Sequence, residues 1–123
     1  MRQITKRLKP GHDLREEIEK LIKENDVKAG VLLSVVGSLS EANLRMAGGK
    51  EKRSWKEELE VVSGTGTVSV NDTHIHISVS DKEGSVYGGH LGNGCIVRTT
   101  AEIVLLTFDD VEYVRRPDEE TGY

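Results

Sequence analysis

The stretch THIHISVSDKEGSVYGGH, residues 73–90, decides the fold. In its first half Ile75, Ile77 and Val79 occupy one parity, and His74, His76, Ser78 and Ser80 the other. Side chains alternate faces along a strand, so this is a strand with an aliphatic face and a His/Ser face. Asp81 then opens a turn and Gly84 ends it. That pattern predicts a three-residue hairpin loop, Lys82, Glu83 and Gly84, built as a type I turn closed by a left-handed glycine bulge. Counting outward from Asp81 and Ser85 sets His90 directly opposite His76. An antiparallel hairpin carrying three histidines on one face follows.

The flanking sequence extends this hairpin into a sheet. MRQITKRL, residues 1–8, alternates weakly and reads as an edge strand protected by Lys and Arg. After the turn PGHD, Asp13 is an N-cap with Glu16 three residues on, a capping box. Leu14, Ile18, Leu21 and Ile22 make one apolar stripe of a helix running from residue 13 to about 25. His12 precedes it as a solvated turn residue. AGVLLSVVGSL, residues 29–39, is a buried strand with a bulge or bend at Gly37-Ser38, and EANLRMA continues it. GGKEKRSWKEE, residues 48–58, reads as a mobile polar loop. LEVVSGTGTVSV is a strand with a glycine irregularity at Gly64 and Gly66, and Asn71-Asp72 is a two-residue turn of left-handed type. CIVRTTAEIVLLTF, the longest apolar run, is expected at the centre of the sheet. VEYVRR is expected to close it, and PDEETGY to fray. One helix among many strands in 123 residues predicts a single α+β domain with a largely antiparallel sheet.

Composition removes several function classes. Aromatics are 4% of the chain, too few for a base-stacking platform. The net charge of −4 gives the whole molecule no attraction for a phosphate backbone. The one cysteine, Cys95, excludes an internal disulfide and a multi-thiolate zinc site, and reads as an inert small apolar residue. No apolar run approaches a membrane span, and the first residues lack the apolar core of a signal peptide. A cytoplasmic protein is expected.

The His/Ser face carries the chemistry. Opposite residues in a hairpin lie about 4.5–5.5 Å apart at Cβ, close enough for His74, His76 and His90 to converge on one ion. Three neutral imidazoles with a fourth position open suit a catalytic zinc, although imidazole alone also takes nickel, copper or iron. The alternative is a polar sheet face or a subunit contact. Two glycines before His90 leave space there or permit close backbone approach. Arg98, Thr100 and Glu102 share one parity inside an apolar strand. Arg98 and Glu102 are either a structural ion pair or polar groups beside the metal, with Glu102 as general base. Lys50, Lys52, Arg53 and Lys56 form a small basic cluster, a solvated loop or an anion contact.

VVGSLSEANLR, SGTGTVS and HIHISVSDKEGSVYGGHLGNGCIVRTTAEIVL together resemble the plants-and-prokaryotes-conserved (PPC) domain, here as a stand-alone chain. The resemblance implies an α+β fold around an antiparallel sheet and a homotrimer. The fold is also similar to that of acetolactate decarboxylase, whose H-x-H pair and later histidine hold zinc; these fall on His74, His76 and His90. Plant members bind DNA through an AT-hook, and this chain lacks its core, VRRPDEE having no glycine. Three functions are carried forward. The first is a trimeric, metal-holding module that binds a small ligand or a protein partner. The second is a metal-dependent lyase or hydrolase. The third is a trimeric DNA-binding protein using the Lys50–Lys56 cluster.

Overall fold

The structure is a computed structural model and describes residues 1–122; Tyr123, the end of the tail expected to fray, lies outside the described residues. One helix, α1 (Leu14–Glu24), follows strand β1 (Arg2–Leu8) and precedes β2 (Ala29–Arg45), β3 (Lys52–Trp55), β4 (Leu59–Ser69), β5 (Thr73–Ser80), β6 (Val86–Leu91) and β7 (Ile96–Thr107). All strand pairs are antiparallel. The order is β1-β7-β2-β4-β5-β6, with β3 on β2 and β6 returning to β2. That return, Leu44 opposite Leu91 and Arg45 opposite His90, closes β2, β4, β5 and β6 into a ring. The α+β class and its antiparallel sheet are as the sequence predicts.

The ring encloses an aliphatic core. Ile75, Ile77 and Val79 point inward beside Leu44, Leu91, Leu32 and Val35. Helix α1 adds Leu14, Ile18 and Leu21, its predicted stripe, while Ile22 is only partly buried. Asp13 is the N-cap and accepts from the backbone N–H of Glu16 at 3.1 Å. Its second oxygen accepts from Gly94 N–H at 2.7 Å, tying the start of the helix to the loop between β6 and β7.

Several expectations are corrected. The central strand is β2, which pairs with β7, β4, β3 and β6; β7 lies between β1 and β2. Seventeen residues make β2 long enough to serve four neighbours. The polar loop at 48–58 is shorter than expected, because Lys52–Trp55 pairs with Ala42–Arg45. Trp55 anchors that strand by stacking on Tyr87, ring centroids 5.2 Å apart. Toward β5, Gly64 and Gly66 pair in unbroken register and the shift falls between Val61 and Ser63, whereas toward β2 the ladder is interrupted between Gly66 and Val61. The turn after β4 is centred on Val70-Asn71, since Ser69 N–H donates to Asp72 at 2.9 Å, and neither residue is left-handed. That displacement moves the pairing by two residues, so side-chain parity survives. VEYVRR is not a strand. The Asn71 side chain bonds both main-chain groups of Arg115, at 2.8 and 3.0 Å, and takes the place of a ladder partner. The bulge at Gly37-Ser38 is present. The 81–85 hairpin has the predicted loop, with Gly84 at φ +85°.

Candidate metal centre

The ladder fixes the histidines. His76 stands opposite His90, and His74 is two residues along the same face. Ring centroids are 4.9 Å apart for His74–His76, 5.8 Å for His74–His90 and 5.7 Å for His76–His90. One ring nitrogen from each lies within 4.8 Å of the other two. Tetrahedral ligands around zinc sit roughly 3.3 Å apart, so side-chain rotations of about 1 Å bring the set onto one ion. His74 and His76 also line a shallow hollow of about 300 Å³ with Val31, Thr65, Gly66 and Thr67.

The surroundings of His90 and His74 favour the neutral imidazole, which is the ligating form. Burial, then Arg45 and Arg15, push His90 down to about 4. Burial, then Arg115 and His76, lower His74, and Asp72 opposes them. Arg15 is placed by the first turn of α1. It donates to Leu91 O at 2.6 Å, and weakly to His90 Nε2 at 3.3 Å. The other ring nitrogen, His90 Nδ1, is buried without a hydrogen-bond partner. Buried polar atoms are normally satisfied, so Nδ1 is an exception in this fold. The three converging imidazoles suit a divalent ion.

The other candidates do not join this group. Arg98 is exposed and pairs with Glu58 at 2.8 Å, not with Glu102. Glu102 is exposed on β7, between Arg7 and Val36. Strand β7 presents both to solvent, so neither is the buried charge that made it a candidate. Of the basic cluster, Lys52 and Arg53 point to opposite faces of β3, and Arg53 is held by Glu51 at 3.0 Å. Cys95 is fully buried, bonded to Asn43, and its thiol is raised to about 11. His12 stays in its turn, accepting from Lys9 N–H at 3.2 Å. Sequence reasoning missed Arg15, Arg45, Asp72 and Arg115. Only Arg45 left a signal, as a charge ending a strand; its place beside His90 depends on closure of the ring.

The sequence profile of the Plants and Prokaryotes Conserved (PCC) domain matches residues 1–109. The chain belongs to this family. A bifunctional protein GlmU from Synechococcus sp. (strain JA-3-3Ab) is 43% identical over 117 residues, which are 95% of this PCC chain and 19% of that protein. The chain thus spans about a fifth of that relative. A hypothetical protein from Salmonella enterica has a structure matching at TM-score 0.95 and 34% identity, over 99% of this chain and 88% of the other. A metal-containing protein from Archaeoglobus fulgidus matches at TM-score 0.83 and 31% identity, over 99% and 90%.

Proposed function

We propose that this PCC domain holds one divalent ion, zinc by preference, on His74, His76 and His90, and binds a small ligand there as a homotrimer. The observation that carries the reading is the convergence of three imidazoles, one ring nitrogen of each within 4.8 Å of the other two. The similar Archaeoglobus protein described as metal-containing supports it. When bound, the ion supplies a Lewis-acid centre with an open position. The chain's own residues do the rest. The ladder orients the imidazoles, and burial with the nearby arginines disfavours protonation of His90 and His74. Among the described residues no further carboxylate converges with the three imidazoles, which favours a binding module over the lyase or hydrolase reading. Leu33 and Val36, each about 60% exposed on β2, give the outer sheet an apolar surface suited to subunit contact.

The test is metal analysis of protein purified without an affinity tag. One zinc per chain is expected in the wild type, falling to near zero in His76→Ala and His90→Ala. Full zinc in both variants would refute the site. Light scattering should give three chains per particle, and a monomer at micromolar concentration would refute the assembly.

A further inference from the structure

Arg45 is the one arginine at the site with no protein counterion among the described residues. Arg15 is paired with Glu19 at 2.7 Å and lies 3.7 Å from Asp72. Arg115 is paired with Asp72 at 3.1 Å. Arg45 has no such partner: its Nε is buried without a hydrogen bond. Its cross-strand neighbours are His90 on β6 and Lys52 on β3, one neutral and one cationic. Like charges directly opposite destabilise a sheet, so this row is electrostatically unfinished. The nearest acid along its own face of β2 is Glu41, four residues away, or about 13 Å of strand. A half-buried guanidinium whose Nε has no partner is left uncompensated, and a divalent ion next to it makes the positive excess larger.

We propose that Arg45 is an anion seat, and that the small ligand of this site is a carboxylate, with one oxygen facing the three-histidine centre and the other taken by the Arg45 guanidinium. The assignment rests on the metal reading above. It follows from what each group accepts. A guanidinium offers its donors in a planar fork that matches a carboxylate. The open position beside three imidazoles takes an oxygen donor. The ligand supplies the negative charge that the chain does not. Arg15 and Arg115 cannot play this part, because their charges are already balanced.

The test uses the full chain loaded with zinc, titrated with carbon-labelled acetate at constant ionic strength. Acetamide is the neutral control, and inorganic phosphate the competing oxyanion. Zinc content is measured in each sample. Wild type is expected to bind acetate one to one, above both acetamide and phosphate. Arg45→Gln is expected to keep its zinc and bind acetate about tenfold to hundredfold more weakly, the loss of one charge-assisted contact. Arg45→Lys keeps the charge but not the fork and is expected between the two; it decides the question if the Gln variant fails to fold. Equal acetate affinity in wild type and the folded variants, with zinc retained, overturns the anion seat and leaves the metal reading standing. Preference for phosphate overturns the carboxylate assignment. Failure of wild type to take up zinc overturns the metal reading, and the carboxylate bridge with it.

Discussion

Substituting Gly89 by alanine tests whether ring closure builds the site. An added Cβ would lie 2.6 Å from the Arg45 carbonyl oxygen, 3.1 Å from Leu44 Cβ and 3.2 Å from Met46 Cε. The first contact is to backbone, which cannot rotate away. Reaching ordinary contact requires β6 and β2 to part by roughly 1 Å. Overpacking of this kind costs about 1–3 kcal/mol, and a lost ladder bond about 1 kcal/mol more. Gly89→Ala is therefore expected to lower unfolding free energy by about 2–4 kcal/mol. Only two residue pairs join β6 to β2, and one of them is Arg45 with His90. Zinc affinity should fall about tenfold although no ligand is touched, as it does when groups that orient a metal ligand are disturbed. Urea denaturation of the metal-free protein gives the first quantity, and competition with a chromophoric chelator the second. Gly48→Ala is the control, since a Cβ there meets nothing within 4 Å. A Gly89→Ala protein within about 0.5 kcal/mol of wild type, with unchanged zinc affinity, would refute the close approach.

The metal-free protein should lose stability as pH falls from 6.5 to about 4, because His90 takes up its proton at the ordinary value when unfolded and only near 4 when folded. His74 acts in the same direction. A urea midpoint unchanged between pH 7 and pH 5 would contradict this. Arg98→Ala should cost less than about 1 kcal/mol and leave zinc content untouched, because its pairing with Glu58 is solvent-exposed; loss of zinc in this variant would return Arg98 to the site. Duplex DNA should bind weakly and only at low salt, since net charge is −4 and the basic residues of β3 are split between faces. Tight binding at physiological salt, abolished by changing Lys50, Lys52, Arg53 and Lys56 to alanine, would show that distribution to be sufficient.

What was legible in the sequence was what local physics determines. The hairpin register follows from turn type, and turn type from Asp81 and Gly84, so His90 could be set opposite His76 by counting. The helix follows from Asp13, Glu16 and a 3.6-residue stripe. What was not legible depends on contacts distant in sequence. β3 is a strand because β2 runs far enough to receive it and Tyr87 offers Trp55 a ring to stack on. Residues 111–116 have strand composition but touch the sheet only at points: Tyr113 bonds the backbone of Lys28 and Val70, and Arg115 bonds the Asn71 side chain. Arg98 and Glu102 lie in an apolar run, and parity alone could not say that their face of β7 meets solvent.

The same division runs through the site. Its three histidines come from one hairpin, each held in a paired strand. Its charges come from elsewhere: Arg45 through ring closure, Arg15 through the helix start, Arg115 through the C-terminal segment that grips the turn at Asn71. Asp13 links two of these parts, holding both the first turn of α1 and the Gly94 backbone that follows His90 and Leu91. A hairpin with three histidines would by itself be a solvated face, with its imidazoles half-protonated near their ordinary value. Burial and flanking guanidinium groups lower His90 and His74, and one of those guanidinium groups, Arg45, is left without a counterion. In this fold the ligating geometry is therefore local, while the choice of what binds is made by the tertiary structure.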